Sequence, residues 1–357
     1  MGPDGERTLL TGATGFVGSM VLERLIAAGA PVTVLVRAGD DAAARRRLEE
    51  LALRTWGEEA VVASVEVVAA DLERDLLGLS RDAYDALAER AGAFVHCAAS
   101  VRFDLPLDAA RAINVAGTER VVELCERTRA LGGPGRLVHL STAYVHGRTT
   151  ELGRETGPTT TPQFRNTYEM TKHRAEQIVA RLDGAAIVRP SIIVGDSRTG
   201  WTSSFNVIYP GLRALLNGDL EVVPGPADGI LDIVTVDQVV DVVCGLLADS
   251  SSAGIVQAVG GEMAPTIEEF ASLAYAHANL PMTRCVPGAA EQIGVYAPYV
   301  DVRARFEFDR AGALDMERVP IEDLMPRLLD HAVAAGWGSR PHIRPDPRSV
   351  GTADLIE

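Results

Sequence analysis

The sequence predicts a doubly wound α/β fold, a parallel sheet covered by helices on both faces, with a smaller lobe interleaved towards the C-terminus. Three observations carry this expectation. Short uninterrupted apolar runs alternate with longer periodic ones through the first half of the chain, the pattern of parallel strands buried on both faces between crossover helices. A glycine-rich turn follows the first apolar run directly. The 357 residues, 47% of them hydrophobic, suffice for a large core.

Strands are predicted at 8–11, 32–36, 65–69, 93–97, 137–140 and 185–188. Helices are predicted at 18–28, 41–55, 83–90, 107–130 (with a break inside it) and 161–182. Right-handed crossovers then wind the sheet in both directions. Beyond Arg189 the pattern is less regular. Gly- and Pro-rich loops at 195–200 and 224–229 lie among helices predicted at 205–216, 239–247 and 267–278. The expected division is a cofactor-binding domain over 1–200, with later strands contributed from 230–260, and an interleaved substrate lobe over 201–338. The polar, Pro-rich tail at 339–357 is expected to be poorly ordered.

The net charge of −15 argues against nucleic acid or an anionic membrane as the main partner. No stretch reaches about 18 apolar residues, so no membrane span is expected, and the start has no signal-like apolar core. A cytoplasmic location is the expectation. Cys97, Cys125, Cys244 and Cys285 form no close pair and the seven histidines have no metal-ligand spacing, so neither a metal nor a disulfide framework is expected. His139, His146, Asp232 and Asp237 are read as structural groups, and Arg198 as either a substrate-phosphate contact or a loop ion pair.

The segment TGATGFVG (11–18) joins the first strand to the first helix. Gly12 permits a tight turn, Gly15 lets backbone approach a pyrophosphate, and Gly18 allows close packing. With Thr14, Phe16 and Val17, they present a helix N-terminus to an anion. The spacing is GxxGxxG, which differs from the GxGxxG of the standard Rossmann fingerprint. A nicotinamide dinucleotide is the implied ligand. The second strand ends on Arg37, where an acid would hold an NAD ribose, and a guanidinium suits the 2′-phosphate of NADP(H). Arg45, Arg46 and Arg47 are either added positive charge or a solvated helix face. Asp40 and Asp41 keep NAD open.

Tyr168 and Lys172 stand four apart on a predicted helix, which puts them on one face. A phenol is a poor acid–base group at neutral pH, and a neighbouring ammonium is expected to lower its pKa. Ser141 and Thr142 follow the fifth strand, at the carboxyl edge where doubly wound folds bind ligands.

Taken together, TGATGFVG, Asp71-Leu72, His96, Asn114, STAYVHG (141–147), Tyr168/Lys172 and RPS (189–191) resemble the extended short-chain dehydrogenases/reductases over residues 8 to about 200. Weaker matching runs to about 250 through DIVTVD (232–237). VHCAASVRFDLPLDAARAINVAGT (95–118), STAYVHG and RPSIIVGDSRTGW (189–201) resemble, more closely, fatty acyl-CoA reductases and the thioester reductase domains of carboxylic acid reductases. The chain departs from eukaryotic acyl-CoA reductases in showing no recognisable second C-terminal domain, and it shows no carrier domain. The resemblance implies that Tyr168 donates a proton to the carbonyl oxygen and that Lys172 lowers its pKa and holds the nicotinamide ribose. It implies that Thr142, rather than Ser141, polarises the carbonyl. Asp71 and Leu72 would meet the adenine, Ala98, Ala99 and Ser100 would line the cofactor, and Pro190 to Ile192 would flank the nicotinamide. Tyr144, Ser191 and Trp201 are candidate substrate contacts. Trp201, Phe205 and Tyr209 are placed either along an acyl channel or in the core.

The leading expectation is NADPH-dependent reduction of an acyl thioester, either CoA- or carrier-bound, to aldehyde or alcohol. The alternatives are a ketone, aldehyde or hydroxysteroid-type reductase and, in a different class, a non-catalytic NADP-binding sensor. A sugar-nucleotide dehydratase would want acids directly after Thr142, where Ala143 and Tyr144 stand.

Overall fold

The computed structural model describes residues 6–157, 162–249, 252–314 and 316–344. In chain order the first elements are β1 (Thr8–Thr11), α1 (Phe16–Ala27), β2 (Val32–Val36), α2 (Asp41–Trp56), β3 (Glu66–Ala69), α3 (Arg81–Arg90) and β4 (Ala93–His96). Then come α4 (Leu107–Arg111), α5 (Gly117–Ala130), β5 (Arg136–Leu140), α6 (Thr167–Val179), β6 (Ala186–Pro190) and β7 (Ile192–Val194). The later part holds α7 (Ile208–Leu216), β8 (Val223–Pro224), β9 (Ile233–Thr235), α8 (Val236–Ala248), β10 (Gly254–Ala258), α9 (Ile267–His277), β11 (Cys285–Val286), α10 (Asp309–Ala313) and α11 (Ile321–Ala334).

Seven strands form one sheet in the order β10-β6-β5-β4-β1-β2-β3, every pair parallel. The winding reverses between β1 and β4, which opens a crevice at their carboxyl ends. Alternate strand residues explain the unbroken apolar runs. Leu10, Val34, Val95, Val138 and Val188 pack under α1, α2 and α8. Leu9, Leu35, Phe94, Leu137 and Ile187 pack under α3, α5 and α6. Both faces are therefore dry, as the period-free runs require. A second core lies beyond the sheet edge, where Ile208, Leu212, Phe270, Leu324 and Leu328 from α7, α9 and α11 close over β7 and β9.

Four expectations change. The break expected within 107–130 is a π-helical turn at Ala112–Ala116 that keeps the helical path. The helix expected at 161–182 begins at Thr167, because Asn166 caps it by accepting from the Glu169 N–H at 3.0 Å; residues 158–161 lie outside the described residues. The helix expected from 205 begins at Ile208, after Val207 at φ 52°. The tail is packed as far as Arg344. The Arg344 guanidinium meets Glu23 at 2.9 Å and Asp196 at 3.0 Å, and its N–H donates to the Thr55 carbonyl at 2.7 Å. Residues 345–357 lie outside the described residues. No helix among the described residues is long and apolar enough to cross a membrane.

Candidate active site

The glycine turn is built as its residue types demand. Gly12 has φ +73°, and a Cβ there would lie 2.6 Å from the Ala98 backbone nitrogen; a Cβ on Gly18 would run into the Gly12 carbonyl. Gly18 thus packs on the turn itself. A Cβ on Gly15 would meet only the Gly12 oxygen, at 3.3 Å, so the space in front of it is open. Helix α1 has no side-chain cap and no acid in its first turn, whereas Asp40, Ser80 and Asn166 cap α2, α3 and α6. Its first N–H groups and its dipole are left for an anion. These residues fit the pyrophosphate of a dinucleotide.

Arg37, at the end of β2, is exposed and pairs with Glu73 at 2.9 Å. Of the neighbouring arginines, Arg47 donates to the Arg37 carbonyl and Arg45 to the carbonyls of Val62 and Val65. Both therefore serve the backbone rather than forming a free positive field. Nothing in the sequence pattern singles out Glu73. Asp71 accepts from the Glu73 N–H at 3.0 Å, and Leu72 packs over Gly117.

The loop after β4 carries Ala98, Ala99 and Ser100. The Ala98 N–H donates to Thr11 Oγ1 at 3.3 Å. Asn114, in the π-helical turn, accepts from the Ser100 N–H at 2.7 Å and donates to the Ser100 carbonyl and to Thr171 Oγ1. A π turn rotates a side chain out of the regular helical stripe and is frequent at functional sites. Here it ties the loop after β4 to α6.

Tyr168 and Lys172 share one face of α6, and the Thr142 side chain lies beside the Tyr168 hydroxyl while donating to the Pro190 carbonyl at 3.4 Å. Burial holds the phenol above its ordinary pKa, partly offset by Thr142. This corrects the expectation that an ammonium lowers it. Lys172 Nζ donates instead to the Leu140 carbonyl at 2.6 Å and lies 3.3 Å from His139 Nε2. Burial lowers Lys172 from its ordinary value to about 8. Beneath it, the His139 and His96 rings lie tilted against each other at 5.2 Å, and both are held neutral: burial pulls His96 down to about 3 and His139 well below its usual range.

The neighbouring hydroxyls separate cleanly. Ser141 Oγ donates to Glu176 Oε1 at 2.6 Å, and Glu176 is bidentate with the fully buried Arg189 at 2.8 and 2.6 Å. Ser141 thus faces a structural ion pair, while Thr142 faces the phenol. Pro190, Ser191 and Ile192 continue from β6 into β7 beside them, and the buried Ser191 hydroxyl has no hydrogen-bond partner among the described residues. Asp232 accepts the N–H groups of Gly260 and Gly261, and Asp237 that of Ser197, the structural parts expected of both.

Around the Tyr168 ring is an aromatic wall. Phe103 lies 5.6 Å from Tyr168, 4.8 Å from Tyr299 and 5.8 Å from Tyr296 between ring centroids. Tyr144 meets Tyr299 edge-on at 5.0 Å. Tyr299 receives the Asn166 amide at 2.9 Å. Tyr296, Tyr299 and Ile192 then line a partly open apolar cavity of about 80 Å³ between α7, α9 and the irregular 287–299 segment. Phe103 lies within the 95–118 motif without standing out from it; Tyr296 and Tyr299 lie in a stretch with no helical or strand period.

Trp201 does not line this cavity. It is 1% exposed, packs 6.3 Å from Phe16 and 6.4 Å from His342, and donates through Nε1 to the His342 carbonyl at 3.2 Å. Phe205 stacks on His331, and Tyr209 is core, its hydroxyl accepting from the Gly195 N–H. The apolar cavity is lined instead by Ile208, Gly211, Leu212 and Leu215 on α7.

Fold and site together define an NAD(P)-binding protein of the extended short-chain dehydrogenase/reductase class. Within it, the chain belongs to the male sterility protein family, whose model matches residues 10–243. It is 29% identical over 283 residues to fatty acyl-CoA reductase 1 of Homo sapiens, covering 67% of this chain and 53% of that protein. It is 30% identical over 271 residues to a non-canonical nonribosomal peptide synthetase of Aspergillus campestris, covering 71% of this chain and 25% of that protein. The chain thus spans about half the length of the fatty acyl-CoA reductase it matches. The terminal R domain of the myxalamid PKS-NRPS pathway superposes with a TM-score of 0.80 at 25% identity, over 94% of this chain and 93% of that one.

Proposed function

We propose that this chain is an oxidoreductase that reduces an acyl thioester with NADPH. The observation that carries the reading is the nearness of Thr142 and Tyr168 to an apolar cavity, with Phe103 packed between Tyr168 and the lining residues Tyr296 and Tyr299. A reactive polar site beside a hydrocarbon-lined space suits a carbonyl at the end of an acyl chain.

The cofactor, when bound, supplies hydride to the carbonyl carbon. Thr142, on giving up the Pro190 carbonyl, and Tyr168 supply two hydroxyl donors to one carbonyl oxygen, where negative charge develops. Burial keeps Tyr168 protonated at neutral pH, as a proton donor in the reductive direction must be. Lys172, held on the Leu140 carbonyl, is placed one helical turn from Tyr168 to meet the nicotinamide ribose. Gly12, Thr14, Gly15, Phe16, Val17 and Gly18 hold the pyrophosphate. Arg37, released from Glu73, takes the 2′-phosphate. Asp71, Leu72 and Ala98 to Ser100 border the adenine and ribose, and Pro190 to Ile192 the nicotinamide. Hydride addition gives a hemithioacetal, its C–S bond breaks, and the products are an aldehyde and a free thiol.

Thiol release is the test. The protein is incubated with NADPH and a series of acyl-CoAs and followed with a thiol reagent beside NADPH absorbance. Equal thiol and NADPH stoichiometry is expected for reduction to the aldehyde. NADPH oxidation with ketones or aldehydes, and no thiol from acyl-CoA or acyl-carrier thioesters, would replace this reading by carbonyl reduction.

A further inference from the structure

We propose that Gly211 is the specificity-determining position of the apolar cavity, and that its missing side chain admits the distal part of an extended aliphatic acyl group. The inference rests on the thioester reading above.

Helix α7 turns the stripe Ile208, Gly211, Leu212 and Leu215 towards the cavity, the i, i+3, i+4, i+7 positions of one helical face. Three of the four fill it with branched side chains, and the fourth contributes none. A glycine inside a helix costs roughly 1 kcal/mol relative to alanine, and nothing in the backbone requires one here. The position lies outside the left-handed region, and an added Cβ would meet only Ile293 Cγ2, at 4.0 Å. This contrasts with Gly12, where a Cβ would strike backbone at 2.6 Å. Space, rather than backbone freedom, is what Gly211 provides. That space lies between α7 and the segment carrying Ile293, Tyr296 and Tyr299, whose two tyrosine rings pack on Phe103, itself packed on Tyr168.

The walls also define the occupant. Apart from the tyrosines they are aliphatic, save for Phe270, and the Tyr299 hydroxyl is already engaged by Asn166. A peptidyl chain would bury its amides there with few partners, which is costly; a hydrocarbon chain needs none.

The experiment compares the wild-type chain with Gly211→Ala, Gly211→Leu and Gly211→Phe against butanoyl-, octanoyl- and hexadecanoyl-CoA, reading thiol release. A parallel arm titrates a fluorescent apolar probe, 8-anilinonaphthalene-1-sulfonate, and circular dichroism checks folding. The expected result is that Gly211→Phe lowers kcat/KM for hexadecanoyl-CoA by at least roughly tenfold, from the apolar contact it displaces. Butanoyl-CoA stays within about twofold, Leu is intermediate and Ala is near wild type. Probe binding should weaken in the same order. A folded Phe variant with an unchanged chain-length profile, or with equal loss at every length, overturns the proposal. If neither an acyl-CoA nor an acyl-carrier thioester yields thiol even with the wild type, the thioester reading fails; probe binding unchanged by Phe then also overturns the assignment of Gly211 to the cavity.

Discussion

The Lys172 ammonium nitrogen sits 2.6 Å from the Leu140 carbonyl oxygen, anchored on the strand beneath α6 instead of on the phenol one turn away. Burial of that nitrogen lowers its pKa from 10.5 to about 8. A lysine loses its charge as pH rises through its pKa, so the ammonium proposed to hold the ribose disappears above about pH 8, well before an exposed lysine would lose it. The basic limb of kcat/KM, which reports groups of the free enzyme, is expected near pH 8. A profile flat to pH 10 would remove Lys172 from that role.

Tyr168→Phe keeps the ring that packs against Phe103 at 5.6 Å and deletes only the hydroxyl. Turnover should fall by roughly 10²–10⁴-fold, the range of general acid–base catalysis, while cofactor affinity stays within about twofold. Steady-state rates beside a fluorescence titration of NADPH check both halves.

Ser141 and Thr142 should fail in different ways. Ser141→Ala removes a 2.6 Å hydrogen bond to the buried Glu176–Arg189 pair and should destabilise the fold by about 1.5–3 kcal/mol, with kcat little changed. Thr142→Ala should lower kcat by roughly 10²-fold with a smaller loss of stability. Urea melts and kcat measured on the same two preparations distinguish them; the opposite pattern would make Ser141 the donor.

Arg37 is exposed and paired with Glu73, so it can exchange one partner for another. Arg37→Ala should weaken NADPH by about 1.5–3 kcal/mol and NADH far less. Glu73→Gln, which frees the guanidinium, should tighten NADPH. Equal losses for both cofactors in the Arg37 variant, measured by titration, would refute the NADP(H) preference.

The sheet was legible because burial on both faces leaves no polar alternation: Leu9 and Leu10 point to opposite sides, and both are dry. The glycine turn and the Tyr168/Lys172 pair were legible because a close backbone approach and a four-residue spacing each restrict residue choice locally. The cavity was not. Its inner wall comes from Tyr296 and Tyr299, in an irregular 3-10 stretch kinked at Gly294 that has no period to read. Trp201 was misplaced for a related reason: its partners, Phe16 and His342, are remote in sequence at opposite ends of the chain. The Lys172 environment was equally hidden, since a neighbour four residues away says nothing of the strand carbonyl that claims the ammonium.

Trp201 joins two things that chemistry would otherwise keep apart. One edge of its ring touches Phe16, the first residue of the helix at the glycine turn, and its indole N–H is held by the His342 carbonyl, with the Arg344 guanidinium 5.3 Å from its ring centroid. Linkage is reciprocal: if dinucleotide binding tightens the turn, it must also tighten the docking of residues 340–344, and by the same free energy. A protease that clips this stretch should therefore be slowed by cofactor, and a chain cut after Gly338 should bind cofactor more weakly, through the loss of residues 340–344 behind Trp201.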